Sequence, residues 1–215
     1  NEIYGVTDVD GSLIAWLRMD NDSSKGENNT HVYDWSKGMS NLTVYGNPVL
    51  NYSGKFGKAY TFDGTGDYLN FDDVLGSFRD DLCYDDNGNY TWMGWIYPYD
   101  NTSVTVMAKH KCDATGEDND GYYFMLSSTA KFCWAWGDGT SNCEVATATS
   151  AIPTNAWTHW AVTQNRETDV KIYINGIVES SSSEALDDAM TEDIRIGSVT
   201  SYGPGDCTAA DYSGL

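Results

Sequence analysis

The chain has 215 residues, 40% hydrophobic and 20% charged, a balance that suits one globular domain with a two-layer core and excludes a disordered chain. Its formal net charge of −20 comes from 12 basic and 32 acidic groups; such a surface repels nucleic acid and anionic lipid, so no nucleic-acid partner is expected. No run reaches the ~20 apolar residues of a membrane span, so no membrane insertion is expected either.

The composition favours strands: 13% of residues are aromatic, with 8 Trp and 15 Tyr, and 21 Gly supply turns. Residues 1–10 read as a lead-in and 11–215 as one domain. In chain order, short alternating runs predict strands at "SLIAWLRM", "KAYTFDG", "DYLNF", "TWMGWIYPY", "VTVMAK", "YYFMLSS", "KFCWAW", "HWAVTQ", "VKIYINGIVE" and "DIRIGSV". Only "SEALDDAM", 183–190, has helical character. Many short strands with regular turn signals predict an all-β, antiparallel two-sheet sandwich of the jelly-roll type.

Two hairpins are specified closely. Asn175-Gly176 between β-formers is the type I′ signal. In "KFCWAWGDGTSNCEV" a turn centred on Asp138 sets Cys133 opposite Cys143, within reach of a cross-strand disulfide. The period of two puts Trp160, Val162, Val170, Ile172 and Ile174 on the core face, and His159 on the other.

The chain has five cysteines, none in a zinc-type spacing. The partners of Cys83, Cys112 and Cys207 are not specified by spacing. N-x-[S/T] sequons stand at Asn21, Asn28, Asn41, Asn51, Asn89 and Asn101; their density predicts glycosylation and an extracellular or cell-surface location, where disulfides persist.

Two loops have the oxygen-rich composition that a hard cation needs, and calcium is the metal they suit. One is "DATGEDNDG", with Asp118, Asn119 and Asp120. The other is "FDGTGDY", with Asp63 and Asp67, for which the alternative is a tight turn whose carboxylates bond local backbone. Stacking of aromatics on sugar faces points to Trp134, Trp136, Tyr122, Tyr123 and Tyr202 as ligand-binding candidates.

The order of segments from Gly11 onward resembles laminin G-like, concanavalin A-like jelly rolls, with pentraxins as relatives. The residues that carry the resemblance are "GKFGKAYTFDGTGDYLNF", "YTWMGWIYP", "NAWTHWAVTQ", "VKIYINGIVES" and "DIRIGS". It implies that His159 is a framework residue of its strand. It also implies that Asp118 and Asn119, or Asn119 and Asp120, occupy the place of a pentraxin Asp-Asn calcium pair, although Ser198 to Ser201 lack the later acidic ligands. Members of the family close with a further strand, whereas this sequence ends in "DYSGL"; the resemblance implies that the closing strand lies after residue 215 or comes from a neighbouring subunit, which would make an assembly. Some relatives are glycoside hydrolases with Glu-x-Asp-x-x-Glu on one strand; "EDNDGYY" lacks the second Glu. The expected function is a non-enzymatic extracellular recognition or adhesion module that binds glycan or a surface protein. The alternatives are a structural subunit of a cell-surface assembly and, third, a glycoside hydrolase.

Overall fold

Valine and isoleucine at alternate positions from Val170 to Ile174 commit one sheet face to the interior, and the rest of the architecture is built against it. The computed structural model describes residues 12–36, 41–71, 89–101, 103–113, 120–138, 142–165, 169–183, 193–198, 200–202 and 210–215. Their side chains are described except at 110–113, 120, 136–138, 142–145, 200–202 and 210. The strands are β1 (His31–Val32), β2 (Leu42–Tyr45), β3 (Val49–Gly54), β4 (Gly57–Asp63), β5 (Tyr68–Phe71), β6 (Tyr90–Ile96), β7 (Val104–Asp113), β8 (Asp120–Leu126) and β9 (Lys131–Asp138). They continue as β10 (Asn142–Ala151), β11 (Thr158–Asn165), β12 (Asp169–Ile174), β13 (Ile177–Ser182), β14 (Arg195–Ile196), β15 (Thr200–Tyr202), β16 (Ala210–Asp211) and β17 (Ser213–Gly214). Among the described residues the one helical element is a 3-10 turn at Ser23–Lys25, and no helix is long and apolar enough to cross a membrane.

The large sheet runs β1-β2-β5-β14-β7-β8-β9-β10, with β15 and β16 each pairing in parallel with β7. Facing it are a four-stranded sheet, β13-β12-β11-β6, and a three-stranded sheet, β17-β4-β3. Residues 213–215 link those two: β17 pairs with Asp63 and Phe62 of β4, and Tyr97 and Leu215 exchange backbone hydrogen bonds of 2.7 and 2.9 Å. Gly214 bridges Pro98, and a Cβ there would meet the Tyr97 carbonyl and the Tyr212 hydroxyl, so the approach requires glycine.

Aromatic rings cross between the layers and form the core. Trp160 of β11 lies 4.9 Å from Phe124 and 6.0 Å from Phe132, centroid to centroid. Trp134 packs on Phe124 and Tyr122 at 4.2 and 5.0 Å. Val162, Val170, Ile172 and Ile174 are buried beside them, as their alternation predicts. Trp160 pairs with Gly94 of β6, and a Cβ at Gly94 would sit 3.3 Å from the Trp160 ring; a larger residue there would displace the indole. At the β12–β13 turn Asn175 and Gly176 have φ of 50° and 80°, the left-handed pair that a type I′ turn requires.

Several expectations are corrected. "SLIAWLRM" is not a strand: Leu17 forms an isolated bridge to Asp34, while the Trp16 N–H donates to the Asp34 carboxylate at 2.9 Å and its carbonyl accepts from Trp35. A side-chain acceptor has replaced a ladder partner there. The β9–β10 register sets Cys133 opposite Thr147 and Cys143 opposite Trp136, so the two cysteines do not face each other. The cause is β8, which pairs with β9 as far as Asp120↔Asp138 and extends that strand past the expected turn. The Cys133 sulfur is buried, within 3.5 Å of the Thr147 hydroxyl and 3.6 Å of the Lys131 carbonyl. Most of the expected helix at 183–190 lies outside the described residues.

Candidate ligand-binding face

Period-two alternation in β6 turns Tyr90, Trp92, Gly94 and Ile96 toward the core and leaves Thr91, Met93 and Trp95 on the outside. Met93 is 64% exposed and Trp95 36%. The row through Met93 continues across the sheet as Ala161, Tyr173 and Val178, an apolar stripe on the outer face. Trp95 pairs with His159 of β11, and their rings meet at 5.2 Å and 64°.

The β3–β4 hairpin completes this face. Gly54 pairs with Gly57, so Lys55 and Phe56 alone form the turn. Phe56 is 58% exposed and presents its ring at 5.8 Å and 84° to Trp95. The Lys55 ammonium stands 4.2 Å from the centroid of the same indole. On the hairpin itself Tyr52 is 77% exposed, with the Lys58 ammonium 5.1 Å from its ring. Neither lysine forms one of the ion pairs found among the described residues, which join Arg18 to Asp20 and Lys171 to Asp169.

His159 is anchored through its backbone: its N–H donates to Asn175 Oδ1 at 3.0 Å and its carbonyl accepts from Asn175 N at 2.8 Å. Burial holds its imidazole below the ordinary histidine range, because the charged form loses hydration against Trp95. The ring therefore serves at neutral pH as an uncharged wall of the Trp95 site. An outward-facing indole of this kind can stack on a sugar ring, and the Lys55 ammonium over it is a hydrogen-bond donor.

A second aromatic-cation group lies on the outer face of the large sheet. Tyr45 and Tyr68, paired across β2 and β5, stack at 4.7 Å and 10°, and the Arg195 guanidinium covers Tyr68 at 4.4 Å. The Asn70 amide beside them donates to Asp193 at 3.1 Å.

The residues expected to bind ligand distribute differently. Trp134 and Tyr122 are buried in the core and are corrected as ligand contacts, since the core face of β8 and β9 claims both. Tyr123 is half-buried on the outer face of β8, opposite Ala108 and Ala135. Trp136 and Tyr202 lie in β9 and β15, with side chains outside the described set. Among the candidate calcium ligands, Asp118 and Asn119 lie outside the described residues, and Asp120 opens β8 with its side chain likewise outside. Asp67 accepts from Asn47 N at 2.7 Å and Asp63 N at 3.1 Å, and Asp63 accepts from Thr65 N at 2.8 Å. Both carboxylates thus organise the turn around Gly64 and Gly66.

Other buried carboxylates also hold loops. Asp34 accepts from Trp16 and Ser36, and Glu27 accepts from Asp22 and Tyr33. Burial raises the Glu27 carboxyl above its usual range, and burial together with Glu27 pushes the Tyr60 hydroxyl up to about 12. Among the described residues no group of three His, Cys, Asp or Glu side chains gathers to hold a metal ion. Of the sequons, Asn28, Asn41 and Asn89 are exposed, whereas the Asn101 amide donates to the Ile152 carbonyl at 2.6 Å.

Trp95, Phe56 and Lys55 are not among the residues that the sequence singled out, although two signals mark this outward-facing group. Tryptophans three apart on one strand must lie on opposite faces, so Trp92 inside implies Trp95 outside. Lys-Phe between two glycines puts an aromatic at a turn tip, where Asn and Gly are usual.

Residues 63–210 match a laminin G-type family model described as the concanavalin A-like lectin/glucanases superfamily. No curated protein sequence matches the chain. Among solved structures, domain 4 of AbnA, a GH43 extracellular arabinanase from Geobacillus stearothermophilus solved with arabinotriose, is 20% identical, with 93% of each chain covered and a TM-score of 0.59. The binding domain of Paraclostridial Mosquitocidal Protein 1 is 16% identical over 86% of this chain and 46% of its own, with a TM-score of 0.60. The botulinum neurotoxin serotype G binding domain is 15% identical over 93% of this chain and 46% of its own, also at 0.60. The chain thus spans about half the length of each toxin binding domain. These likenesses establish a shared fold.

Proposed function

Since the chain belongs to the concanavalin A-like lectin/glucanases superfamily, we propose that it is a non-catalytic extracellular binding module whose ligand is a glycan, free or carried on a surface protein, held on the face around Trp95. The observation that carries this reading is the outward-facing indole of Trp95, 36% exposed, walled by Phe56 and His159 and covered on its face by the Lys55 ammonium. A flat apolar ring beside hydrogen-bond donors matches the alternating C–H and O–H surfaces of a pyranose. The arabinanase domain solved with arabinotriose and the toxin binding domains lend support as relatives in fold that bind.

The arrangement suits binding better than bond cleavage. Glycoside hydrolysis uses two carboxyl groups across the scissile bond, whereas the ring and cation contacts of Trp95 are with Phe56, His159 and Lys55. The test is a glycan array with the intact chain and with Trp95→Ala. Hits that disappear in the variant support the reading; hits that persist, or an array without hits, would sink it.

A further inference from the structure

Resting on that reading of the Trp95 face, we infer that the preferred ligand is an acidic sugar carrying one isolated negative charge, seated with its ring on Trp95 and its anionic group on Lys55. The electrostatic setting argues for this. The chain carries 32 acidic and 12 basic groups, so an anion approaching most of its surface is repelled. At the β3–β4 tip the balance reverses, with Lys55 and Lys58 both on one short hairpin and Phe56, His159 and Lys55 the groups in contact with the indole. None of these contacts is an acid.

Lys55 is also weakly held. Its partner is the π face of Trp95, a contact of modest strength at an exposed site, and it sits in a two-residue turn with freedom to swing. A ligand anion offers that ammonium a charge-assisted hydrogen bond, which is the stronger partner. When Lys55 turns to the anion, the indole face that it covered is released to the sugar ring. One ligand group thus supplies the partner for the cation and uncovers the platform.

Charge also limits what fits. Lys58 stands over Tyr52, apart from the indole, so the Trp95 face presents one ammonium. A densely charged polymer would satisfy Lys55 with one group and set the rest against a chain of net charge −20. A single carboxylate or sulfate on an otherwise neutral oligosaccharide avoids that repulsion. Both anions offer the same chemistry to an ammonium, so the source of the charge is settled by experiment.

Titration calorimetry with the intact chain uses four probes: a trisaccharide ending in glucose, the same ending in glucuronic acid, the same ending in glucose 6-sulfate, and heparin. The expected result is about fivefold tighter binding of an acidic trisaccharide than of the neutral one, a gap that narrows as NaCl is raised, and no gain with heparin. Comparing the glucuronate and sulfate arms identifies the anion. Lys55→Gln should remove the preference for the acidic sugar, and Lys58→Gln should leave that preference intact. Equal affinity for neutral and acidic sugars, a preference that survives Lys55→Gln, tighter binding of heparin, or equal binding of a short Glu-containing peptide would each overturn the inference. Failure of every sugar to bind, or binding untouched by Trp95→Ala, would overturn the reading of the face itself.

Discussion

Two aromatic-cation groups occupy opposite outer faces of the sandwich, and they are built for different ends. On the large sheet, Arg195 belongs to β14, which is paired on one side with β5 and on the other with β7. Its guanidinium covers one face of Tyr68 while Tyr45 stacks on that ring, so the aromatic faces are consumed by each other. At the hairpin, the cation sits in a two-residue turn, outside any ladder, and stands over the indole. The same residue types therefore give a brace in one place and a platform in the other. What separates them is whether the cation is fixed in a ladder.

Trp95→Ala is expected to produce the widest separation between the two: binding falls at least about thirtyfold, as for an aromatic anchor worth about 2 kcal/mol, with urea-unfolding stability changed by less than about 1 kcal/mol. Tyr68→Ala should do the reverse, lowering stability by about 1–2 kcal/mol through lost stacking and burial with binding unchanged in the same titrations. A Tyr68 variant that lost binding would make the large-sheet group a second site. A smaller contrast is expected between the cations: Arg195→Gln should cost about 1 kcal/mol on denaturation, and Lys55→Gln less than about 0.5 kcal/mol.

His159 adds a pH effect to the hairpin side alone. Its folded-state pKa is held down by burial, so the contribution of its neutral form is complete above the unfolded histidine value, near 6.5, and is lost as pH falls through the lowered folded value. Stability followed from pH 7.5 to 5 should decline less in His159→Gln than in the parent; equal declines would remove His159 as the source. The smallest effect expected is on chelation: sugar binding at Trp95 should survive EDTA, because among the described residues no group of three His, Cys, Asp or Glu side chains gathers to hold a metal ion, and a loss of binding would show that calcium bears on the face.

The sequence made the fold legible where a local rule and the tertiary structure agree. Val170, Ile172 and Ile174 alternate and are buried; Asn175-Gly176 specifies a turn and forms it. It misled where a rule was local and the outcome was not. The turn after β9 looked centred on Asp138, but pairing with β8 set the length of β9 and moved Cys133 away from Cys143. Trp134 and Tyr122 looked like sugar-stacking residues because aromatic identity says nothing about which face a strand turns inward. Asp63 and Asp67, with three residues between them of which two are glycines, follow the other expectation for that loop, a tight turn whose carboxylates accept from backbone N–H groups. Trp95 was legible from period two alone; its partnership with Lys55 and Phe56 was not, since it depends on where a distant hairpin folds down.

Residues 213–215 hold two sheets along one short backbone segment, with β4 on one edge and Tyr97 and Tyr99 on the other. This has a consequence for the order in which the molecule opens. The amides of Tyr97, Tyr99 and Leu215 belong to both sheets at once, so neither can part without exchanging them, and they should share one high opening free energy. The hairpin tip at Lys55 and Phe56 has no such tether and should exchange near the bottom of the scale. Trp95 lies between them, two residues from the clasp at Tyr97 and in contact with the loose tip. The floor of the proposed binding face is therefore tied to the slowest-opening segment, while its overhang belongs to the fastest.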